Sequence, residues 1–243
     1  MIVQNPNIEI LEVAVERLSD LIEKIVFAGG CATGLLVTDP AASVGPTNDV
    51  DVIVEAATLV EYYSLSEKLR QLGFKEDTSE EAPLCRWTNE SVILDVMPME
   101  AKILGFENLW FSRAYEASDW ITLPSGKKIR LLPATYFLAT KLDAFKHRGN
   151  SDYLISRDIE DVITILDGRP EILAEVHKAN IELKEYLASQ CSILLNDRSF
   201  LEALPGLLLP DAASQARHDF IIDRMKKIAI NCATTGLNSN LPF

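Results

Sequence analysis

The sequence has no long apolar run and few cysteines, and each of these absences excludes a class of protein. None of its apolar runs approaches the roughly 18–20 residues that a membrane-spanning helix requires. The first residues, MIVQNPNIEI, carry no basic stretch leading into an apolar core, so they do not resemble a secretion signal. The four cysteines in 243 residues form no CxxC pair, which disfavours a zinc site and favours reduced thiols. We therefore expect a cytoplasmic protein without membrane attachment.

Cations are also scarce, because 23 Lys and Arg stand against 36 Asp and Glu and give a formal net charge of −13. This excess of acid disfavours non-specific binding to nucleic acid, whose phosphates would be repelled. The distribution is uneven, since residues 127–148 hold six Lys and Arg and one acid, Asp143. This basic segment is either a solvated face or the wall of an anion-binding site.

The stretch from residue 27 to residue 55 contains a glycine pair and an alternating pair of aspartates. Gly29 and Gly30 lie between the apolar run IVF and a predicted helix, so a bulky ligand could approach the backbone there and phosphate could meet the helix N-terminus. In DVDVIV, Asp49 and Asp51 lie on one face of a strand while the valines face a core. Adjacent carboxylates repel unless a positive charge lies between them. We expect Mg²⁺ to supply this positive charge, because it is a hard cation that binds carboxylate oxygens.

A third acid, Asp95, is the only charged residue in the apolar run SVILDVM. This run and the preceding LCRWT are predicted to form a hairpin that turns at Asn89 and Glu90. A lone acid in a strand is otherwise satisfied by an ordinary hydrogen bond or lies at a sheet edge. Asp95 is therefore either a structural acid or a third member of the site.

A glycine pair followed by Asp-x-Asp on an apolar strand resembles the signature of the nucleotidyltransferase superfamily with the DNA polymerase β-type fold. Thr47, two residues before Asp49, resembles the Ser/Thr-x-Asp-x-Asp form of its abortive-infection toxin branch. The eighteen residues from Cys31 to Asn48 exceed the spacing typical of the superfamily, and the inserted residues have the composition of a loop.

The resemblance assigns roles to the residues of this stretch. It implies that Asp49, Asp51 and Asp95 bind Mg²⁺ and are catalytic, with Asp95 supplied by a neighbouring strand. It also implies that the triphosphate is bound by Gly29, Gly30 and Thr47.

Residues 141–161 resemble a second motif of the toxin-like nucleotidyltransferases. The resemblance implies that Lys141 binds the triphosphate, that Arg148 is a supporting cation, and that Asp158 is a polar group of the catalytic site. Alternatively, Lys141 is a surface lysine, and Asp158 pairs with Arg157 or Arg148 in a helix-to-helix bridge worth about 0–1 kcal/mol.

Hydrophobic periodicity divides the chain into two halves. Residues 1–132 are predicted to alternate strands and helices, and the following residues are predicted to be helical at 134–148, 153–166, 171–187 and 212–230. We therefore predict an α+β fold. The resemblance makes its first part, residues 1–132, a mixed-sheet nucleotidyltransferase core, and its second part, residues 133–243, a C-terminal helical bundle that completes the site.

The implied function is Mg²⁺-dependent transfer of a nucleoside monophosphate from a nucleoside triphosphate, ATP among the candidates, to an acceptor hydroxyl. The acceptor is tRNA, a protein or a small molecule, and the toxin-like branch raises an antitoxin protein as a partner. An alternative is a nucleotide-binding or partner-binding protein that has this fold without catalysis, although the presence of all three acids disfavours it. A phosphohydrolase that uses Asp-x-Asp is a third hypothesis, but its nucleophile normally follows the first strand with no glycine pair upstream.

Overall fold

The computed structural model describes residues 5–105, 108–148 and 152–230 of the chain. They form an α+β fold in which a mixed seven-stranded sheet is followed by a largely helical C-terminal half. Contacts between residues divide the chain into two compact units. The sheet unit comprises the described residues of 5–36 and 44–140, and the helical unit comprises residues 37–43 and those described beyond residue 140. No helix of these described ranges is both long and apolar enough to cross a membrane.

The strands belong to the sheet unit and are hydrogen-bonded in the order β3-β4-β5-β2-β1-β7-β6. They are β1 (Ile25–Ala28), β2 (Asp49–Val54), β3 (Lys75–Glu76), β4 (Arg86–Thr88), β5 (Ile93–Pro98), β6 (Asp119–Thr122) and β7 (Lys128–Leu131). The β2–β5 and β1–β7 pairs are parallel, and the other pairs are antiparallel.

Strand β2 has one apolar face and one face that carries the acids. Val50, Val52 and Val54 are buried, each with no more than 1% of its surface exposed. Asp49 and Asp51 alternate with these valines, point to the opposite face and are partly exposed. The predicted alternation along this strand is therefore confirmed.

The described residues of the sheet unit form five α-helices and one 3₁₀ helix. They are α1 (Ile8–Leu18), α2 (Gly29–Leu36), α3 (Leu59–Gln71), α4 (Ala101–Leu104) and α5 (Phe111–Glu116), with a 3₁₀ helix at Ser19–Lys24. Helix α3 opens with a capping box, in which the Thr58 hydroxyl accepts from the Glu61 N–H and the Glu61 carboxylate accepts from the Thr58 N–H. Helix α2 begins at Gly29 itself, so the glycine pair is part of the helix rather than a separate turn before it.

Helix α6 (Ala134–Arg148) continues from the sheet unit into the helical unit. Its residues through Thr140 belong to the first unit, and those from Lys141 onward belong to the second. The sequence placed its division between residues 132 and 133, at the start of this helix. The boundary between the contact units lies inside the helix instead.

The rest of the helical unit consists of helices that are shorter than the sequence predicted. They are α7 (Arg157–Gly168), α8 (Ile172–Lys178), α9 (Ile181–Asn196), α10 (Arg198–Ala203), α11 (Ala212–Gln215) and α12 (His218–Ile230), with a 3₁₀ helix at Leu204–Leu207. The predicted helix over 171–187 is wrong, because Asn180 adopts an extended conformation and caps a new helix by accepting a hydrogen bond from the Leu183 N–H. The predicted helix over 212–230 is likewise divided into α11 and α12.

Residues 37–43 of the long loop between α2 and β2 belong to the helical unit. The N–H groups of Thr38 and Asp39 both donate to the carbonyl oxygen of Gly168, at 2.9 Å each. The Arg217 guanidinium donates to the Asp39 carboxylate at 2.7 Å. A side chain at position 168 would have no room, because its Cβ would lie 2.8 Å from the Val37 side chain.

Candidate active site

The register of three neighbouring strands places charged residues in one row across the sheet. On the parallel β2–β5 pair, Asp51 lies opposite Asp95. On the antiparallel β4–β5 pair, Arg86 lies opposite the same Asp95. Residues directly opposite each other on neighbouring strands share a face, and Asp49 joins that face two residues before Asp51. The sheet thus brings together the three acids that the sequence selected, and it adds an arginine. We call this set, Asp49, Asp51, Arg86 and Asp95, the acid row.

The Arg86 guanidinium connects two of these carboxylates. Its Nε donates to Asp95 Oδ1 at 2.8 Å, and its Nη2 donates to Asp95 Oδ2 at 2.8 Å, which is the paired geometry that arginine forms with a carboxylate. The same Nη2 donates to Asp49 Oδ2 at 3.0 Å. Asp95 is 7% exposed. Hydrogen bonding to Asp95 is the main cause that raises the pKa of the Arg86 guanidinium above its usual value.

Sequence reasoning missed Arg86, although a signal for it existed. The predicted hairpin contains one cation in its first strand and one acid in its second, and a hairpin places such residues across from each other. That pairing depends on register, which the structure fixes at Arg86 opposite Asp95.

The two glycines play different parts in the structure. Gly29 has a φ of +62°, and a Cβ built there would lie 1.7 Å from Oδ2 of Asp51. A Cβ at Gly30 would lie 3.5 Å from the Thr47 side chain, which is ordinary van der Waals contact. The close approach that the sequence assigned to a ligand is therefore made at Gly29 by the Asp51 carboxylate, and Gly30 is not sterically required.

Thr47 and Asn7 hold the chain that leads into β2. The Thr47 hydroxyl donates to Asp49 Oδ1 at 2.7 Å, and the Thr47 N–H donates to the side-chain oxygen of Asn7 at 2.9 Å. The Asn7 amide in turn donates to the carbonyl oxygens of Gly45, at 3.0 Å, and Gly30, at 3.4 Å. Asn7 is 1% exposed. Asn7, like Arg86, was not selected from the sequence. It had no signal there, because a single polar residue at the start of a helix is common.

Cys85 lies beside the acid row but does not supply a nucleophile. Burial is the main cause that raises the pKa of its thiol to about 12, and the nearby charges of Asp95 and Asp51 act in the same direction. The thiol is therefore protonated at neutral pH, and a thiolate mechanism has no support here.

The helical unit contains a second cluster, in which a lysine lies between two acids of α7. Lys141 Nζ lies 2.6 Å from Asp161 Oδ2 and 3.5 Å from Asp158 Oδ1. All three side chains are largely buried. Lys141 is thus not a solvated surface lysine, and Asp158 pairs with Lys141. Arg148 ends α6, and its side chain lies outside the described residues.

The donor set of the acid row fits a hard divalent cation only in part. Its donors are carboxylate oxygens, which Mg²⁺ prefers, and Asp49 and Asp51 lie at adjacent positions on one face of β2. Both oxygens of Asp95, however, are hydrogen-bonded to Arg86. Among the residues that the structure describes, no group of three or more His, Cys, Asp or Glu side chains is arranged to hold a metal ion. Both oxygens of Asp49 are hydrogen-bonded as well, but each by a single bond, to Thr47 and to Arg86. Asp49 and Asp51 are the residues that would hold Mg²⁺.

Comparison of the sequence with models of known protein families gave no matching family, and comparison with functionally characterised proteins gave no similar sequence. The site must accordingly be interpreted from its own residues.

Proposed function

We propose that the protein is a Mg²⁺-dependent nucleotidyltransferase that moves a nucleoside monophosphate from a nucleoside triphosphate to an acceptor hydroxyl. The observation that supports this proposal best is the acid row, in which Asp51 and Asp95 are register partners on parallel strands and Asp49 lies on the same face. The left-handed Gly29, which starts α2 against Asp51, adds a helix N-terminus beside these acids.

Each residue of the acid row has a role in this chemistry. Mg²⁺ bound by Asp49 and Asp51 would neutralise charge on the phosphoryl oxygens during an in-line displacement. The first N–H groups of α2 would face phosphate, because a helix N-terminus favours anions. The Thr47 hydroxyl already donates to Asp49, so it orients that carboxylate rather than contacting phosphate. The assignment of Lys141 to triphosphate binding and of Asp158 to the catalytic site stays a prediction, as do a cytoplasmic location and an antitoxin partner.

The proposal is tested by transfer from a nucleoside triphosphate labelled at the α-phosphate, with each of the four bases. The acceptors are offered separately as cellular RNA, as a protein extract and as small hydroxyl compounds. We expect label in one acceptor fraction with Mg²⁺ and none with EDTA. Asp49→Asn and Asp51→Asn should each lower the rate by about 100-fold or more, because each removes a carboxylate that would hold the Mg²⁺ that neutralises charge on the phosphoryl oxygens.

A matched control for these variants is Asp119→Asn. Asp119 also begins a strand, β6, but it is exposed and lies outside the acid row. Its substitution should leave the rate unchanged. Absence of label from every fraction, for the wild-type protein with Mg²⁺ and all four nucleotides, would contradict the proposed activity.

A second candidate is a nucleotide-binding protein on the same fold that performs no transfer. The hydrogen bonds from Arg86 to Asp49 and Asp95 favour it, because they supply positive charge to the acids without any metal ion. Thermal unfolding together with the transfer assay distinguishes the two candidates. A protein that is stabilised by one nucleotide with Mg²⁺ and yet transfers no label is a binder.

A further inference from the structure

Arg86 uses only part of its hydrogen-bonding capacity within the acid row. A guanidinium has five N–H donors, of which two are on Nη1. The contacts to Asp95 and Asp49 use Nε and Nη2, and Nη1 has no hydrogen-bond partner within the described residues. The Arg86 side chain is 23% exposed. A fixed guanidinium whose Nη1 keeps its N–H donors can donate them to a phosphate group.

The three contacts of Arg86 differ in how easily a ligand could replace them. The two bonds to Asp95 form a paired, buried arrangement, and the Asp95 side chain is 9% exposed. The contact to Asp49 is a single bond at 3.0 Å to a side chain that is 33% exposed. A divalent ion that enters between Asp49 and Asp51 competes with that single bond and leaves the pair with Asp95 intact.

Formal charge also favours a divalent ion on Asp49 and Asp51 while Arg86 stays paired with Asp95. The acid row has three carboxylates and one guanidinium, so its formal charge is −2. One divalent ion on Asp49 and Asp51 would bring that charge to zero. Arg86 then supplies the positive charge that a second metal ion would otherwise bring to the ligand.

We propose that Arg86 is an anion-binding residue of this site, which contacts a phosphate group of the ligand through Nη1 while Asp95 fixes its orientation. Asp95 is then a positioning residue rather than a metal ligand. The inference rests on the proposed function for the identity of its ligand, a nucleoside triphosphate, but its test does not need the transfer reaction.

The affinity of each variant for Mn²⁺ is measured first, in the absence of tripolyphosphate. Binding of inorganic tripolyphosphate is then measured by calorimetry in excess Mg²⁺. Arg86→Gln and Arg86→Lys should each weaken tripolyphosphate binding by about 10- to 100-fold, because both remove hydrogen bonds to a charged group. Mn²⁺ affinity should fall in Asp49→Asn and stay the same in Asp95→Asn.

The control is Arg70→Gln. Arg70 also bridges two carboxylates, those of Glu67 and Glu76, and it stacks on Trp87, but it lies outside the acid row and half of its side chain is exposed. Tripolyphosphate binding should not change in this variant.

A double variant, Arg86→Gln with Asp95→Asn, distinguishes direct contact between Arg86 and tripolyphosphate from neutralisation of the acids by Arg86. It removes one positive and one negative charge, so it restores the charge balance and avoids leaving Asp95 buried without a partner. Binding that stays weak in the double variant supports direct contact. Binding that recovers in it would overturn the proposal, because Arg86 would then only neutralise the acids.

Three further results would also overturn the proposal. They are normal binding by Arg86→Gln, loss of Mn²⁺ binding in Asp95→Asn, and absence of tripolyphosphate binding by the wild-type protein. If the Arg86 variants fail to fold, the side-chain ¹⁵N resonances of Arg86 in the wild-type protein test the contact instead. Tripolyphosphate must shift these resonances if it binds Arg86. A protein that binds tripolyphosphate through Arg86 but transfers no label would contradict the proposed activity and leave this inference standing.

Discussion

At the scale of single residues, the site is defined by contacts that a sequence pattern describes only in part. The pattern of a glycine pair and Asp-x-Asp placed Asp49 and Asp51 on one face of a strand, as the structure has them. It treated Gly29 and Gly30 as equivalent, whereas only Gly29 has a positive φ and a carboxylate against its Cα. It also left the positive charge between the acids to a metal ion, while the structure places Arg86 there.

The two glycines give a matched pair of variants. Gly29→Ala should lower the free energy of unfolding by about 2 kcal/mol or more, because left-handed backbone alone costs alanine about 1–2 kcal/mol and Asp51 must also move. Gly30→Ala should change it by less than about 1 kcal/mol and could increase it, since alanine favours a helix and the space is available.

Urea denaturation of both variants measures these changes. Equal stability of Gly29→Ala and the wild-type protein would contradict the placement of Asp51 against the backbone at position 29.

At the scale of elements, the sequence predicted strand and helix types well and several boundaries poorly. Runs such as DVDVIV and the capping box at Thr58 carry their own signals, because alternation and capping are local. The break at Asn180 was missed, since an apolar periodicity continues across it and only the extended conformation of Asn180 ends the preceding helix. The inserted residues before β2 were predicted only to be a loop, and the anchoring of segment 37–43 in the helical unit depends on distant residues.

The contact that anchors this loop segment gives a pH-dependent prediction. Hydrogen bonding from the Arg217 guanidinium is the main cause that lowers the pKa of the Asp39 carboxyl, and the N–H of Ala41 contributes in the same direction. A carboxyl whose pKa is lower in the folded state adds stability above its unfolded pKa of about 3.9, and this stability is lost as the pH falls through the folded value.

Asp39→Asn should therefore lower the free energy of unfolding by about 1 kcal/mol at pH 7. The difference from the wild-type protein should shrink as the pH falls below 4, when the wild-type carboxyl is protonated. Urea denaturation at several pH values measures it, with the exposed Asp119→Asn as the control. A difference that is constant with pH would show that Asp39 acts through packing and not through its charge.

At the scale of the whole molecule, the basic segment 127–148 is divided between the two compact units. Lys127, Lys128 and Arg130 belong to the sheet unit, and the later cations belong to the helical unit. Arg130 donates to the carbonyl oxygen of Tyr115 and stacks on its ring, and Lys141 lies between two acids. Arg130 and Lys141 therefore already contact other groups of the protein, and the interpretation of the segment as an anion-binding wall stays a prediction.

The overall charge then predicts weak binding to nucleic acid. With a formal net charge of −13, the protein should bind tRNA more weakly than about 10⁻⁴ M at physiological salt. Fluorescence anisotropy with labelled tRNA over a range of salt concentrations measures this affinity. Tight binding that weakens steeply with salt would contradict the prediction and favour tRNA as the acceptor.

The sequence by itself determined which strand carries two acids on one face, because side-chain alternation is a property of the backbone. It also determined that a mixed α and β half precedes a helical half, because hydrophobic periodicity is local. Only the tertiary structure decided that Asp95 faces Asp51, that Arg86 lies between Asp95 and Asp49, and that residues 37–43 belong to the helical unit. These features depend on strand register and on contacts between residues far apart in the chain, which no local pattern specifies.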